Sequence, residues 1–387
     1  MNTFGIDHQP GVTCIALREN RQETATLASV GDGVRSMIPN TVSPDGQWGS
    51  RAWGRAGAYS PSGTRGAWIE DPGGPLFWRG VYTRLSSYLG RLAPVRANGY
   101  RLAIALQGAD YGTDAHAVTA LAQAAGFDDV AVLPSTHALL CRWLASPGER
   151  EHDPRTVIAI AVGERSTLVG GFHIEWNLRG LPAVRAASLP TSLEEAGYET
   201  WNRRLLELLQ VRLKEAPPEG CLGLLRDAAI RYAVRLSQAR VDQAVQWRET
   251  FEERLYAPLA LSYSQCAAWP ECVALGRALT DAVRAALTTL GSSTADLLVV
   301  GGIGSVWPFA EKIAAALGPV WCSGAAGDDV AVGATWWGDL GEYASGTLLA
   351  VSPVLGVTAE PTDSERVLPE PPRAFVPPWQ RGATDVD

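Results

Sequence analysis

The sequence of 387 residues has little positive charge and almost no lysine. Its formal net charge is −8, and its two lysines are Lys214 and Lys312. Such a balance offers no bulk electrostatic attraction to nucleic acid or to an anionic membrane, so we expect neither as a partner. The six cysteines are scattered without a C-x-x-C pair, which indicates buried thiols instead of a zinc site or a disulfide framework.

Long apolar runs are also missing from the sequence. No run reaches bilayer length, and the first residues form a strand pattern instead of a signal-peptide pattern. The expected compartment is therefore the cytoplasm. Apolar residues make up 46% of the chain, and its length exceeds the usual size of one core, so we expect two lobes. The polar, breaker-rich segment 145–155 is the predicted boundary between them.

Strand and helix patterns alternate in the first lobe. Apolar runs bounded by turn residues predict a hairpin, two further strands and two helices. These are the hairpin strands Thr3–Asp7 and Gly11–Leu17, the strand Leu102–Leu106, a helix capped at Thr113–Asp114 and ended by Gly126, the strand Val130–Leu133, and a helix to Leu144. Such alternation is typical of an α/β lobe with a largely parallel sheet.

The second lobe begins with another hairpin pattern. The strands Thr156–Ala161 and Ser166–Glu175 flank a turn at Gly163–Arg165, which predicts a duplicated architecture. Helical patterns follow over Leu193–Lys214, Leu222–Ala239 and Glu271–Leu290. We therefore divide the chain into lobe I (1–154), lobe II (155–330), a segment that returns to lobe I (331–352) and a flexible proline-rich tail (353–387).

An apolar strand that stops at glycines is the strongest functional signal. The run Leu297–Val300 ends in Gly301, Gly302 and Gly304, and the helical pattern Phe309–Gly318 follows. Strand–glycine–helix units bring backbone close to nucleotides or phosphates. Tight-turn geometry explains a glycine pair equally well, so both interpretations stay open.

This order of parts resembles the ATPase domain of the actin and DnaK-type heat-shock chaperone superfamily, over the chain to about residue 345. Gly5-Ile6-Asp7 stands where that family has G-I-D-x-G-T-T, Val300-Gly301-Gly302 where it has V-G-G-S, and Val330-Ala331-Val332-Gly333-Ala334 where it has V-A-x-G-A. The resemblance implies a two-lobed actin-like (ribonuclease-H-like) ATPase fold with duplicated α/β lobes.

The resemblance also implies a nucleotide site that uses ATP or ADP with magnesium. Its candidate residues are Asp7, Gly11, Thr13, Gly163, Ser166, Gly301, Gly302 and Gly304, with Asp7 as a weak metal ligand. The family's second hairpin, D-L-G-G-G-T-x-D, has Ala161 and Leu168 in place of both acids, and no lysine precedes Lys214. Phosphoryl transfer needs cations and a group that positions water. We therefore expect no catalytic residue, and weak or absent nucleotide binding.

The expected function is that of a pseudo-ATPase acting as an adaptor or chaperone-like partner of another protein. The alternatives are an active ATPase or small-molecule kinase with acids elsewhere in the chain, and a filament-forming actin relative. The candidate residues also have structural interpretations: Asp7 as a turn cap, Thr13 and Ser166 as strand hydroxyls, Glu164 and Arg165 as a solvated pair, and His8 and His137 as structural or surface histidines.

The tail contains apolar residues among prolines. Phe375, Val376 and Trp379 lie in an extended, proline-rich stretch and have no periodic pattern with which to join a core. Prolines limit the entropy that a segment loses on docking. We expect these residues to bind a protein partner, and the sequence leaves open both the identity of that partner and the oligomeric state of the chain.

Overall fold

Two mixed β-sheets organise the chain in a computed structural model. The structure describes residues 2–9, 12–19, 25–27, 37–40, 100–107, 111–146, 155–176, 182–211, 232, 235–236, 239–240, 242–247, 250–251, 254–255, 259–302, 314–323 and 327–337. The lobe boundary at 147–154 and the tail lie outside these residues, so those limits stay predictions.

The first sheet contains six strands. They are β1 (Asn2–His8), β2 (Val12–Arg18), β3 (Thr26–Leu27), β4 (Met37–Pro39), β5 (Tyr100–Leu106) and β6 (Asp129–Pro134). Their order is β3-β2-β1-β5-β6, and β4 pairs with β2. β1 and β2 form an antiparallel hairpin, while β5 runs parallel to both β1 and β6. The hairpin and both later strands were predicted, and the structure confirms them.

The second sheet repeats this arrangement. Its strands are β7 (Thr156–Val162), β8 (Thr167–Trp176), β9 (Pro182–Ala186) and β10 (Thr191–Leu193), followed later in the chain by Leu297–Gly301 and Val320–Trp321. Four short strands lie between them in the chain: β11 (Val245–Trp247), β12 (Thr250–Phe251), β13 (Arg254–Leu255) and β14 (Leu259–Leu261). β11 pairs with β14, and β12 pairs with β13. Leu297–Gly301 and Val320–Trp321 are therefore β15 and β16.

The order in the second sheet is β10-β8-β7-β15-β16, with β9 also on β8. As in the first sheet, an antiparallel hairpin (β7–β8) is followed in space by two parallel strands. The second predicted hairpin is confirmed. The described chain is thus mixed α/β, as predicted.

Six helices are described. They are α1 (Tyr111–Ala124), α2 (Ser135–Leu144), α3 (Tyr198–Val211), α4 (Tyr263–Ala267), α5 (Pro270–Thr289) and α6 (Asp329–Ala334). The chain leaves α1 through Gly126, whose φ of 94° favours glycine, as predicted. None of the helices described here is long and apolar enough to cross a membrane.

Helices α2 and α6, the central helix pair, pack against one another and against the sheets. α2 contacts strands of both sheets, while α6 contacts β1, β2 and β5. Small residues permit these close approaches: a Cβ on Gly333 would collide with the carbonyl oxygen of Ala138, and one on Gly5 with that of Ala331. One apolar core runs from the first sheet through the pair to the second, and it includes Ala105, Leu139 and Val157.

Four helix predictions differ from the structure or lie at least partly outside the residues that it describes. α1 begins at Tyr111, so the cap predicted at Thr113–Asp114 is wrong. α3 begins at Tyr198, because Leu193 pairs with Thr167 on β8 as part of β10. Most of the predicted helix Leu222–Ala239, and residues 309–313 of the predicted helix Phe309–Gly318, lie outside the described residues.

Candidate functional site

The turns of the two hairpins meet at one place, which we call the hairpin junction. It comprises Asp7, Gln9, Gln107 and the turn Gly163–Ser166. Asp7 lies near the end of β1, Gln9 and Gln107 directly follow β1 and β5, and the turn joins β7 to β8. Because parallel strands β1 and β5 end side by side, the sheet brings their last side chains to one edge.

Asp7 is a fully buried carboxyl group opposite Cys14 on β2. Its Oδ1 accepts a hydrogen bond of 2.7 Å from Nε2 of Gln9. Its Oδ2 has no hydrogen-bond partner within the described part of the chain. Burial raises the pKa of Asp7 to about 7, although the Gln9 hydrogen bond opposes the shift. A carboxylate at this position is therefore costly near neutral pH.

Gln9 joins the two hairpins. While its Nε2 donates to Asp7, its Oε1 accepts a 3.0 Å hydrogen bond from the backbone N–H of Glu164 in the second turn. Its own N–H donates to the carbonyl of Val12 at 3.1 Å, and its carbonyl accepts from Nδ2 of Asn40 at 2.5 Å. Both the backbone and the carboxamide of this buried residue are thus held in place.

Gln107 forms a second connection between the sheets. Its Nε2 donates a 3.1 Å hydrogen bond to the carbonyl of Ala161 on β7. Its Oε1 occupies the space that a Cβ on Gly163 would need, and that Cβ would also lie 2.6 Å from Oε1 of Gln9. Gly163 is therefore required for the approach of two carboxamides.

The two predicted hydroxyl residues lie close to the junction. The Thr13 hydroxyl donates to Oδ1 of Asn40 at 2.7 Å and so supports the residue that holds Gln9. Ser166 is buried, and its carbonyl accepts a 2.9 Å hydrogen bond from the N–H of Gly163, which closes the second turn. These contacts support the structural interpretation of Thr13.

The charged residues of the second turn differ from the expected solvated pair. Glu164 is only 4% exposed, and Nε of Arg165 lies 3.1 Å from Oε2 of Glu199. The prediction of a solvated pair is wrong because α3 packs against the turn: the N–H of Glu199 donates to the carbonyl of Glu164.

Both predicted structural histidines are buried. Burial lowers the pKa of His8 to about 3 and that of His137 to about 4, so both are neutral at physiological pH. The His137 ring packs edge-on against Phe172, with 5.0 Å between ring centroids. Burial favours the structural interpretation of both residues over the surface one.

The glycine pair ends β15 beside β7. Gly302 has a φ of 91°, and a Cβ there would lie 2.7 Å from the carbonyl oxygen of Val162. A Cβ on Gly301 would lie 2.5 Å from Cδ1 of Leu139 and 3.0 Å from Oδ2 of Asp329. Backbone conformation and packing therefore account for both glycines without a ligand.

Asp329 is a second buried carboxyl group, which the sequence patterns did not reveal. Its Oδ1 accepts a hydrogen bond from the Ser323 hydroxyl and lies 3.6 Å from Nε of Arg142. Its Oδ2 has no hydrogen-bond partner among the residues that the structure describes. Burial raises its pKa to about 6, while the Ser323 hydrogen bond opposes the shift. The only signal was its position directly before the V-A-x-G-A match.

The junction residues do not fit a magnesium–triphosphate site. Magnesium prefers six oxygen ligands in regular geometry, but Ala161 and Leu168 are buried apolar residues, and the junction has only the carboxyl groups of Asp7 and Glu164. In the described ranges, no group of three or more His, Cys, Asp or Glu side chains is arranged to hold a metal. The cation of the second turn, Arg165, is paired with Glu199.

The remaining candidates cannot be placed. Gly11, Gly304 and the tail residues Phe375, Val376 and Trp379 lie outside the described residues.

Asp7, Gly163 and Ser166 are brought together, and Gly302 lies against Val162 at the same end of β7. Sequence reasoning missed the roles of Gln9, Gln107 and Asp329.

A small cavity of about 240 Å³ lies beyond the second turn, between the start of α3 and the start of α5. Its lining residues include Glu194, Glu195, Gly197, Glu271 and Leu275. The helix dipole favours acidic residues near helix N-termini, so no ligand is needed to explain the glutamates that line this cavity.

Comparison with known protein families finds no family model that matches this chain. Comparison with curated proteins likewise finds no matching relative. Function must therefore be inferred from the geometry of the chain.

Proposed function

We propose that this protein has the two-lobed actin-like fold of the heat-shock chaperone ATPases, that it has lost ATPase activity, and that it acts as a cytoplasmic adaptor or chaperone-like partner of another protein. The repeated order of the two sheets supports the fold, since each has an antiparallel hairpin followed by two parallel strands. The central helix pair between them supports it too. The motif remnants Gly5-Ile6-Asp7 and Val300-Gly301-Gly302 fall at strand ends, as the resemblance implies.

One observation carries the loss of activity: the carboxyl groups of the hairpin junction are those of Asp7 and Glu164, its cation Arg165 pairs with Glu199, and two carboxamides lie beside Gly163, where phosphates and magnesium would need more acids and a cation. Asp7 accepts a hydrogen bond from Gln9, and burial raises its pKa to about 7. Gln9 and Gln107 fill the space beside Gly163.

Phosphoryl transfer is unfavourable at such a site. The transition state distributes negative charge over phosphate oxygens, and metals or cationic side chains must stabilise that charge. Here Oδ2 of Asp7 and Oε1 of Gln107 are acceptors without hydrogen-bond donors among the described residues. Two uncompensated acceptors repel phosphate oxygens, so the junction disfavours both binding and turnover.

The test is steady-state phosphate release by purified full-length chain with ATP and magnesium. We expect release at the rate of the buffer control in the wild type and in Asp7→Ala. Phosphate release that the Asp7→Ala substitution abolishes would contradict the proposal, because it would assign a catalytic role to this carboxylate.

The adaptor role rests on the tail and has a separate test. Deletion of residues 353–387 should leave the thermal midpoint nearly unchanged and reduce recovery of a partner in a pull-down. Equal recovery of the same partners by full-length and truncated chains would contradict a docking role for Phe375, Val376 and Trp379.

An active ATPase or small-molecule kinase is the second candidate function. It is favoured by the two buried carboxyls with raised pKa values, Asp7 and Asp329, because perturbed carboxyls concentrate at catalytic sites. Magnesium-dependent phosphate transfer to water or to a small hydroxyl compound, lost in both Asp7→Asn and Asp329→Asn, would favour this function. The filament-forming alternative predicts sedimentation that increases with protein concentration.

A further inference from the structure

We propose that Gln9 acts as a clasp: its carboxamide holds the turns of the two hairpins together, in the arrangement that the structure shows, without a nucleotide between them. The inference rests on the proposed function only in regarding the hairpin junction as a former phosphate site. The contacts themselves are independent of that origin.

The clasp spans the two sheets through a single side chain. One end of the Gln9 carboxamide donates to Asp7 of the first sheet at 2.7 Å, and the other accepts from the N–H of Glu164 in the second hairpin at 3.0 Å. Gln9 is 1% exposed, so water competes little for either hydrogen bond. A ligand that bridged the hairpins would have to displace this side chain.

The clasp is also preorganised. The backbone of Gln9 is fixed on one side by Val12 and on the other by Asn40, whose own carboxamide accepts from Thr13. Little side-chain freedom is therefore lost when the interlobe hydrogen bond forms. The second connection, from Gln107 to the carbonyl of Ala161, acts beside it.

The clasp uses a donor that would otherwise be directed at a phosphate. The backbone N–H of Glu164, at the tip of the second hairpin, is satisfied by Oε1 of Gln9. Backbone N–H groups in such turns are the usual donors to phosphate oxygens. The chain thus supplies its own acceptor, Oε1 of Gln9, and the two hairpin turns stay joined whether or not nucleotide is present.

Hydrogen exchange of individual amides in the full-length chain tests the clasp. Gln9→Met keeps the length of the side chain and removes both hydrogen bonds. We expect the Glu164 amide to exchange at least fivefold faster in Gln9→Met, in line with the loss of one buried hydrogen bond. The Gly197 amide, which donates to Arg165 within the second lobe, is the internal reference and should change less than twofold.

The matched control is Gln246→Met, at an exposed position on β11, which should leave the Glu164 amide unchanged. An unchanged Glu164 rate in Gln9→Met overturns the clasp, as does an equal acceleration of the Glu164 and Gly197 amides, which indicates general loosening.

If Gln9→Met does not fold, hydrogen exchange of the wild-type chain still tests the clasp. The Glu164 amide should be strongly protected, and addition of a non-hydrolysable ATP analogue with magnesium should leave its exchange rate unchanged. Rapid exchange without nucleotide, or a change on its addition, overturns the clasp. ATP turnover measured on the same samples tests the proposed function separately. If the chain has no turnover but its Glu164 amide is unprotected, the clasp is overturned and the proposed loss of ATPase activity stands.

Discussion

Replacing Asp7 by asparagine should stabilise the protein at alkaline pH. Asp7 is fully buried, and its pKa is raised from 3.8 to about 7. The folded state therefore binds more protons than the unfolded state between pH 4 and pH 7, so the contribution of Asp7 to the free energy of unfolding decreases as pH rises through this window. Below the window the neutral carboxyl carries no such cost.

The size of the effect follows from the shift. Three pKa units correspond to about 4 kcal/mol of destabilisation above pH 7, at roughly 1.4 kcal/mol per unit. The asparagine side chain of the Asp7→Asn variant still offers an oxygen to Nε2 of Gln9, but its amide group would replace Oδ2, which has no described donor or acceptor beside it. Burying that unpaired amide costs about 1–3 kcal/mol. We expect a net gain of about 1–3 kcal/mol at pH 8 and none, or a small loss, at pH 4.

The assay is urea denaturation of wild type and Asp7→Asn at unit intervals from pH 4 to pH 8, followed by tryptophan fluorescence. Asp329 also has a raised pKa, about 6, with the same sign of pH dependence. It is present in both chains, so its contribution cancels in their difference. Asp281→Asn is the control, since that side chain is 80% exposed. A loss of stability in Asp7→Asn that is larger at pH 8 than at pH 4 would refute the reasoning, because it would show that the carboxylate has a favourable partner such as a bound cation.

Two further predictions concern packing and thiol chemistry. Gly333→Ala should destabilise the protein by at least 2–3 kcal/mol, roughly the cost of overpacking, because a Cβ there collides with the backbone of α2; Gly126→Ala, where φ is positive but the space is open, should cost only about 1 kcal/mol, and equal losses in urea denaturation would contradict the close helix crossing. Burial raises the pKa of the Cys141 and Cys266 thiols to about 12, so neither should react with a thiol reagent at pH 8 until the chain unfolds; mass spectrometry that finds either one labelled in the folded protein would contradict their burial.

Local patterns predicted the sheets well. Apolar runs bounded by turn residues identified both hairpins and the parallel strands β5, β6 and β15, because alternation and turn chemistry are local properties, but they did not identify β16. Predictions of helix N-termini were weaker. The capping pattern at Thr113–Asp114 lies inside α1, and Leu193 was assigned to a helix although it pairs with a residue 26 positions earlier, Thr167, in a sheet. Such pairing leaves no signal in the helical pattern around Leu193.

The candidate site could be located from the sequence but not understood from it. Asp7 and Gly163 were identified by their places in hairpin turns, and both lie at the junction. The bridge itself joins Gln9 to a backbone N–H 155 residues later, and Gln107 to a carbonyl 54 residues later. Glutamine has no motif in these positions, so its role emerges only when the sheets are assembled.

A crystal structure of the full-length chain grown with magnesium and a non-hydrolysable ATP analogue tests the central claim most directly. We predict that no phosphate will lie between the hairpin turns, and that the Gln9 carboxamide will bridge Asp7 and the N–H of Glu164. A nucleotide with its phosphates on the Gly163–Ser166 turn, a magnesium ion near Asp7 and a displaced Gln9 would contradict the claim that the hairpin junction disfavours phosphate binding and is held together by Gln9 instead.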